Sequence, residues 1–260
     1  MSKIRLKAEK RKWNNVPFRF GTRIYNRFIR NTNPRQFPII INNFNRLEYL
    51  EKQIDWLLSL NIKNIYIIDN ASTYPPLLDF YKKTKVNVYL LDENLGHTAF
   101  WDSVVYHRFK NYYYVLTDSD LIPDENTPTD FMEYFYDILQ RHPAIEKVGF
   151  GLHYNDLPDH YPKKNEVFNW EKQFYIDSIE KNVFKAAIDT TFALYRPLTN
   201  HYCHGKALRT GQPYFLKHMP WYENPANFNE ETRYYIKTTS HSSSWYKSLS
   251  DEPGVYDLKP

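Results

Sequence analysis

The stretch YYYVLTDSDLIPDE, residues 112–125, is an apolar run that ends in a cluster of acids. Its first half has the pattern of a strand buried on both faces, because aromatic and aliphatic residues follow one another without polar alternation. Asp118 and Asp120 then flank one serine, and Asp124 and Glu125 follow shortly after. A carboxylate pair directly after a buried strand is either an ordinary polar turn or part of a binding site.

Three further apolar runs precede this strand, and helical patterns separate them. The predicted strands are 37–41, 64–69, 86–91 and 112–118, and the predicted helices between them cover 47–58, 77–83 and 98–110. Asn45 with Glu48 predicts the start of the first helix, and Asn61 predicts its end. Apolar strands that alternate with helices predict an α/β fold with a mostly parallel sheet covered by helices on both faces.

The pattern becomes less regular after residue 125. A helix is predicted over 127–142, a strand over 148–154 and a helical segment over 166–180. Residues 183–196 have the composition of an extended segment with a bend. The remainder is rich in His, Pro, Gly and Trp, and residues 238–248 are predicted to form a loop or a lid.

Polar residues stand at the ends of three of the four predicted parallel strands. They are Asn42 and Asn43 after the first, Asp69 and Asn70 after the second, and Asp118 and Asp120 after the fourth. Ligands of open α/β sheets bind outside the carboxyl ends of the strands, where these side chains would meet. The coincidence of three such ends favours a binding site over a simple turn.

The spacing of Asp118 and Asp120 suits one hard cation. On extended backbone, residues i and i+2 point to the same side, with Cα atoms about 7 Å apart. Mg²⁺ and Mn²⁺ are commonly held by one or two carboxylates together with substrate phosphates. The pattern therefore predicts a divalent metal site, with Asp124 and Glu125 in the loop beyond it.

Basic charge is concentrated at the N-terminus. Residues 1–37 carry eleven Lys and Arg against one acid, whereas the rest of the chain carries 23 cations and 29 acids. Within this arm, FRFGTRIYNRFIR interleaves aromatic residues with arginines. Such a segment can bind an anionic membrane surface, pack on its own domain, or contact nucleic acid. The mildly acidic body disfavours nucleic acid.

The chain has one cysteine, Cys203, so no internal disulfide is expected, and this suits a reducing compartment. No apolar run reaches the roughly 18 residues that a membrane span needs, and no apolar segment follows the N-terminal cations. We expect a cytoplasmic protein that can associate peripherally with the cytoplasmic face of a membrane. The motif HYCHG, with His201, Cys203 and His204, lacks the second pair of ligands that a structural zinc site requires.

Four segments resemble the nucleotide-sugar domain of GT-A fold glycosyltransferases, especially the family 2-like kind. They are PIIINNFNRLEYLEKQIDWLLSL (38–60), IYIIDNAST (65–73), ENLGH (93–97) and YYVLTDSDLIP (113–123). The resemblance is close over 37–125 and looser to about 220. It implies a Rossmann-like GT-A domain with a basic arm (1–36), a nucleotide-sugar-binding subdomain (37–125) and an acceptor-binding part with a C-terminal loop (126–260).

The resemblance also implies roles for individual residues. Asn43 and Phe44 would lie near the base or ribose, Asp69 at the uracil edge, Asn94, Gly96 and His97 at the donor, Asp118 at the ribose, and Asp118 and Asp120 on Mn²⁺ or Mg²⁺ at the diphosphate. Such enzymes often take a third metal ligand from the C-terminal part, for which His218 is the candidate. A structural histidine is the alternative.

A catalytic base must take the proton of the acceptor hydroxyl as it attacks. Asp189 stands in the otherwise apolar stretch KAAIDTTFALYRP, where an unpaired carboxylate is costly, and resembles the acceptor-facing acid of GT-A enzymes. Its structural alternative is an ion pair with Arg196, and Glu223 is the second candidate for the base. The chain lacks the QxxRW motif of processive synthases.

Other candidates are less specific. Arg209 and Lys217 could meet the diphosphate or be solvated, and Trp101, Trp170 and Trp221 could be sugar platforms or core residues.

The resemblance therefore implies a metal-dependent glycosyltransferase, and an inverting one because family 2-like members invert. It would move a sugar from a UDP-sugar to a glycan or lipid-linked acceptor in surface polysaccharide or glycoconjugate synthesis. One alternative is a sugar nucleotidyltransferase, disfavoured because NNFNRLEY contains no glycine for a phosphate loop. The other is a non-enzymatic binding protein that docks through its basic arm.

Overall fold

A ten-stranded sheet and a three-stranded sheet form the centre of the molecule, which the computed structural model describes over residues 4–6, 33–189, 191–199 and 204–239. The strands are β1 (Ile4–Leu6), β2 (Ile39–Asn43), β3 (Ile65–Asp69), β4 (Asn87–Leu91), β5 (Tyr114–Asp118), β6 (Leu121–Pro123), β7 (Lys147–Gly149), β8 (Gly151–Leu152), β9 (Ser178–Glu180), β10 (Val183–Lys185), β11 (Ala193–Tyr195), β12 (Ala207–Thr210) and β13 (Phe215–His218). The α-helices are α1 (Glu48–Ser59), α2 (Pro75–Lys83), α3 (Ala99–Asp102), α4 (Val105–Phe109), α5 (Phe131–Arg141), α6 (Lys164–Glu171) and α7 (Glu230–Thr238). Short 3₁₀-helices cover Pro34–Gln36, Gly96–Thr98, Lys172–Tyr175, His204–Lys206, Met219–Trp221 and Pro225–Asn227.

The large sheet has the order β1-β4-β3-β2-β5-β11-β7-β12-β10-β9. The five strands from β1 to β5 in this order pair in parallel. Strand β11 lies antiparallel between β5 and β7, so the part of the chain after residue 125 continues the same sheet. The small sheet, β6-β13-β8, is mixed. The α/β class with a mostly parallel sheet flanked by helices, predicted from the sequence, is confirmed.

The order of the parallel strands reverses between β2 and β5. The chain moves outward from β2 to β3 and β4, then returns to form β5 on the other side of β2. Connections that leave in opposite directions open a crevice at the carboxyl ends of the strands. Asn42 of β2 lies opposite Asp118 of β5, and Asn43 lies opposite Asp69 of β3, at this edge.

Both faces of the parallel strands are buried, which explains their unbroken apolar character. Ile39 and Ile41 pack on one face with residues of α1, α2 and α5, whereas Ile40 packs on the other face with residues of α3 and α4. All three isoleucines are fully buried. Complete burial of one such side chain contributes about 1.5–3 kcal/mol, so the two apolar layers hold the strand ends in place.

The predicted end of α1 is confirmed, and its predicted start is wrong. Asn61 follows the helix with a left-handed φ of 59°, which ends it. Asn45 does not cap the helix, because its own φ is 50° and its Oδ1 accepts hydrogen bonds from the Thr73 and Tyr74 amides at 2.7 and 2.9 Å. The asparagine thus stabilises the turn after β3.

Two predicted helices are interrupted. The segment 98–110 is divided between α3 and α4 by an extended residue, Ser103, whose hydroxyl accepts from the Val105 amide at 3.4 Å. Serine favours such local bonds over helix interiors. The segment 166–180 becomes α6, a 3₁₀ turn and strand β9, and the extended segment 183–196 becomes β10 and β11 with a loop between them.

Parts of the sequence predictions lie outside the described residues. The arm is described only at β1 and from residue 33, and the predicted lid only up to Thr239. Residues 201–203 and the side chain of His204, which carry the HYCHG motif, also fall outside. Within the described parts of the chain, every helix is too short or too polar to cross a lipid bilayer.

Candidate active site

Two asparagines link the ends of β2, β3 and β5. The Asn42 Nδ2 donates to Asp118 Oδ1 and to the Gly96 carbonyl, at 3.3 Å each. The Asn70 Nδ2 donates to Asn42 Oδ1 and, at 3.3 Å, to the same Gly96 carbonyl. This network holds the Asp118 carboxylate and the loop around Gly96 against each other.

The ENLGH loop forms a tight turn at this edge. Gly96 has a left-handed φ of 65°, and its amide donates to Asn94 Oδ1 at 2.8 Å. Glycine adopts this conformation without the steric cost that a side chain would add. Asn94 and His97, on either side of Gly96, are exposed and line a cavity at this edge of the sheet. Their contact with a donor stays a prediction.

A buried glutamine of α1 fixes the turn between Asp118 and Asp120. The Gln53 Nε2 donates to the carbonyl oxygens of Asp118, at 3.1 Å, and Leu121, at 2.8 Å. The turn is therefore held on both sides of Asp120, which limits the positions that its carboxylate can reach.

Strand pairing in the small sheet brings His218 to this turn. Leu121 of β6 lies opposite His218 of β13 in the antiparallel register. The His218 Nε2 is 3.5 Å from Asp120 Oδ2, and the His218 ring meets Trp221 edge-on with centroids 4.7 Å apart. The family resemblance suggested His218 as a third metal ligand, and the fold brings its ring next to Asp120.

The Asp120–His218 pair has the chemistry of a divalent-cation site. Burial acts to raise the pKa of Asp120, but His218 and Arg46 outweigh it, so this pKa lies below its ordinary value. The Asp120 Oδ1 is buried and accepts no hydrogen bond from any residue that the structure describes. An ionised carboxylate whose buried oxygen lacks a hydrogen-bond donor, beside an imidazole, is suited to binding Mn²⁺ or Mg²⁺.

The predicted set of three metal ligands is not preformed. In the described residues, no group of three His, Cys, Asp or Glu side chains could hold a metal ion by itself. Asp118 is bound by Asn42, whereas Asp120 lies against His218. A hard cation bound here would complete its coordination with water and substrate phosphates, which is its common habit.

A cavity of about 490 Å³ lies at this edge of the sheet, and its lining includes Asp118, Asp120 and His218. Pockets for small-molecule ligands commonly have volumes of about 300–1,000 Å³. The predicted site residues in its lining are Phe44, Asn94, Gly96, His97, Asp118, Asp120, Asp189 and His218. The strand-end residues Asn42 and Asn70 also line it, as do residues that sequence reasoning did not select, which include Arg46, Glu171, Phe174, Thr191 and Tyr235.

Arg46 is the main residue that sequence reasoning missed on the β2 side of the cavity. Its Nη1 donates to Thr232 Oγ1 at 2.8 Å, and its guanidinium carbon lies 4.2 Å from the centroid of the Tyr235 ring. Phe44 meets Tyr235 edge-on at 6.1 Å. In a sequence, an arginine within a polar turn is typical of a solvated surface residue. Arg46 is buried because helix α7, whose Thr232 stands 186 residues later in the sequence, packs against it.

An ion pair between Glu171 and Arg209 forms a second part of the cavity lining. Each side chain is only 4% exposed. Arg209 also donates to the Ala187 carbonyl at 3.0 Å, and its guanidinium carbon lies 4.3 Å from the centroid of the Phe174 ring. Burial raises the pKa of Glu171 although Arg209 acts to lower it. Arg209 therefore lines the cavity as a buried, paired cation, and its predicted contact with a diphosphate stays untested.

Asp189 is exposed and lines the same cavity. Its stretch leaves the sheet between β10 and β11, which removes the burial inferred from its apolar neighbours. The predicted alternative of an ion pair with Arg196 is not found, because Arg196 donates instead to the carbonyl oxygens of Ile145, at 2.6 Å, and His142, at 3.2 Å.

Asn43 and Asp69 are buried and are not part of the cavity lining. The Asp69 oxygens accept from the Tyr81 hydroxyl and the Ser72 amide, both at 2.9 Å. The Asn43 Nδ2 donates to the same Tyr81 oxygen at 2.9 Å. In this arrangement Asn70, next in sequence to Asp69, faces the cavity, and the assignment of Asp69 to a uracil edge stays a prediction.

Glu223, the second candidate for the base, also lies outside the lining. Its Oε1 accepts from Tyr49 at 2.8 Å and from Thr232 at 3.1 Å, and it lies 3.4 Å from Arg46 Nη1. Burial and the Glu223 carboxylate together raise the pKa of Tyr49 above its usual range. Glu223 thus pairs with Arg46 and helps to hold its guanidinium in place.

The remaining candidates divide between the core and other surfaces. Lys217 lines a separate surface depression and pairs with Asp156 at 3.5 Å. Trp101 is 3% exposed and belongs to the core. Trp170 and Trp221 line the cavity.

No protein-family model matches this sequence, and no curated protein matches it. The solved structures that are similar to this chain include two at low identity. The crystal structure of S. aureus TarS 1–349 has a TM-score of 0.43 and 11% identity, covering 70% of this chain and 60% of that one. Glucosyl-3-phosphoglycerate synthase from Mycobacterium tuberculosis, solved with phosphoglyceric acid, has a TM-score of 0.41 and 12% identity, covering 74% and 64%. This chain spans less than two thirds of each solved chain.

Proposed function

We propose that this chain is a metal-dependent glycosyltransferase that moves a sugar from a UDP-sugar to a glycan or lipid-linked acceptor with inversion. The observation that carries the proposal is a single cavity at the reversal of strand order, with Asp118, Asp120 and His218 on one side and the exposed Asp189 on another. The activity would serve surface polysaccharide or glycoconjugate synthesis.

The donor would bind along the ends of β2, β3 and β5. Phe44 and Tyr235 offer aromatic rings for the nucleoside, and Asn94 and His97 offer polar contacts. Arg46, buried and within the lining, offers a positive charge for a phosphate. Charge-assisted bonds from arginine to phosphate are among the stronger hydrogen bonds in proteins.

A divalent cation would be held by Asp120 and His218, with Asp118 close by in sequence. When bound, Mn²⁺ or Mg²⁺ neutralises the charge that develops on a departing diphosphate. As metal ligands, the Asp120 carboxylate would be ionised and the His218 ring neutral.

The acceptor hydroxyl would attack the anomeric carbon as the bond to the diphosphate breaks. Its proton would pass to the Asp189 carboxylate, which is exposed to the cavity. One displacement of this kind inverts the anomeric centre. Glu223 is the less favoured base, because three neighbouring groups already bond or face its Oε1.

The first test is thermal unfolding with UDP-sugars, with and without Mn²⁺. A ligand at 100 times its Kd stabilises the folded state by about 2.7 kcal/mol. We expect the wild type to show stabilisation by a UDP-sugar that depends on Mn²⁺, and Asp120→Asn to lose it. Glu125→Gln is the matched control, since this acid is exposed and lies outside the cavity.

Transfer is then measured by release of UDP in the presence of candidate acceptors. Full Mn²⁺-dependent UDP binding and full transfer by Asp120→Asn would overturn the proposal. Binding of a nucleoside triphosphate with release of pyrophosphate would instead favour a sugar nucleotidyltransferase. Absence of any nucleotide binding would favour a non-enzymatic protein that docks through its basic arm.

A further inference from the structure

One wall of the cavity combines exposed aromatic surface with a buried cation. Trp170 is 41% exposed although it lines the cavity, and its ring meets Phe174 edge-on with centroids 5.6 Å apart. Phe174 in turn packs against the Arg209 guanidinium. A large aromatic ring at a cavity wall offers a flat apolar face to a ligand.

Arg209 is held within this wall by the fold. Its Nη1 donates to Glu171 and its Nη2 to the Ala187 carbonyl. Arg209 is only 3% exposed, and its Nε is fully buried. The guanidinium therefore packs behind the Phe174 ring and presents little charged surface to a ligand.

The charge of this wall is balanced. Glu171 contacts the Arg209 guanidinium and neutralises it, and the Asp189 carboxylate in the same lining is accompanied by the buried Lys147, whose Nζ lies 3.4 Å from the Asp189 carbonyl oxygen. An anionic ligand would therefore meet no net positive charge here. A neutral ligand with hydroxyl groups and one apolar face matches the groups that are present.

We propose that the wall formed by Trp170, Phe174 and Arg209 is a subsite for a neutral sugar, and that this sugar is the acceptor. The inference rests on the proposed function. The apolar C–H face of the sugar ring stacks on Trp170, and the attacking hydroxyl faces Asp189. The acceptor is then a neutral glycoside, free or lipid-linked, and not a small phosphorylated acid.

The experiment measures binding by saturation-transfer NMR with the full chain, UDP and Mg²⁺, which is diamagnetic and leaves the resonances sharp. The probes are methyl glycosides of glucose, galactose, mannose and N-acetylglucosamine, compared with glucose 1-phosphate and 3-phosphoglycerate as anionic probes. The variants are Trp170→Ala and Trp170→Tyr. Phe168→Ala is the matched control, because Phe168 is on the same helix, is also 41% exposed and lies outside the lining.

We expect at least one neutral glycoside to bind the wild type and to bind Trp170→Ala about tenfold more weakly, a loss of about 1.4 kcal/mol. Trp170→Tyr should retain most of the affinity, and Phe168→Ala should match the wild type. Equal affinity in Trp170→Ala, or stronger binding of the anionic probes than of every glycoside, would overturn the subsite.

Failure of the subsite is separable from failure of the proposed function. Mn²⁺-dependent binding of a UDP-sugar without binding of neutral glycosides would reject the subsite and leave glycosyl transfer standing. Glycoside binding that depends on Trp170, without any UDP-sugar binding, would support a sugar subsite and reject the transferase.

Discussion

Asp69 is buried, and both of its carboxylate oxygens accept hydrogen bonds from the fold. Burial raises its pKa above the ordinary value, although the bonds from Ser72 and Tyr81 act to lower it. The folded chain therefore binds the Asp69 proton more tightly than the unfolded chain. This carboxyl contributes stability below the ordinary aspartate pKa of about 3.9, and the contribution is lost as the pH rises through its raised pKa.

Asp69→Asn is expected to remove this pH dependence. We expect the free energy of unfolding of the wild type, minus that of the variant, to fall as the pH rises above about 4 and then to level off. Urea unfolding at several pH values between 4 and 8 measures it. A difference that is constant or rises over this range would contradict the prediction.

Asp79→Asn is a control of opposite sign. A hydrogen bond and charge from Lys82 lower the pKa of this exposed carboxyl. Its contribution is therefore present above the ordinary aspartate pKa of about 3.9 and is lost only as the pH falls below it, the reverse of Asp69. Between pH 4 and 8 the free energy of unfolding of the wild type, minus that of Asp79→Asn, should therefore stay nearly constant.

At the scale of elements, helix α7 completes the start of helix α1. No side chain at the N-terminus of α1 caps it. The Glu231 Oε2 of α7 accepts instead from the amides of Leu47, at 2.9 Å, and Glu48, at 3.1 Å. A carboxylate here also interacts favourably with the helix dipole. Since α7 carries Thr232 and Tyr235, the same docking positions Arg46 in the cavity.

Glu231→Ala is expected to reduce the free energy of unfolding by about 1–2 kcal/mol, the usual cost of a lost helix cap. It should also weaken UDP-sugar binding, because α7 holds Arg46. Urea unfolding and ligand titration measure the two effects. Glu230→Ala, at the exposed neighbouring position, should leave both unchanged, and equal losses in the two variants would contradict the capping role.

At the scale of the whole molecule, charge is divided between a basic N-terminal segment and a mildly acidic body. The described part of that segment includes β1, which pairs in parallel with β4 at the edge of the sheet. We propose that the basic segment brings the enzyme to an anionic membrane surface, where a lipid-linked acceptor would lie.

Replacement of Arg23, Arg27 and Arg30 by Gln should weaken binding to vesicles that contain phosphatidylserine. Each cation near such a surface contributes about 1 kcal/mol, so the triple variant should bind more than 100-fold less tightly at moderate salt. Vesicle sedimentation measures this. The control replaces the exposed Lys82, Lys83 and Lys85 by Gln, which removes the same charge from the body. Equal losses in both triple variants would indicate non-specific attraction.

Local pattern was sufficient for the parallel half of the fold. The strands β2 to β5 were predictable because each is a short apolar run between turn residues. The positions of Asn42, Asn70 and Asp118 at one edge followed from the alternation of strands and helices, whereas Gly96 was assigned to the site by the family resemblance. The break at Ser103 and the division of 166–180 were not predictable, since a short helical pattern does not reveal which turns pack on the sheet.

The α/β class, the strands β2 to β5 and the carboxylates at their ends could be predicted from the sequence, because they depend on periodicity within a few residues. Which groups share the cavity depends on the tertiary fold. His218 reaches Asp120 through strand pairing between β6 and β13. Arg46 is buried by α7, and Arg209 pairs with Glu171 across the chain. Such pairs form between residues distant in sequence, and burial and charge neutralisation select them only when the whole chain is folded.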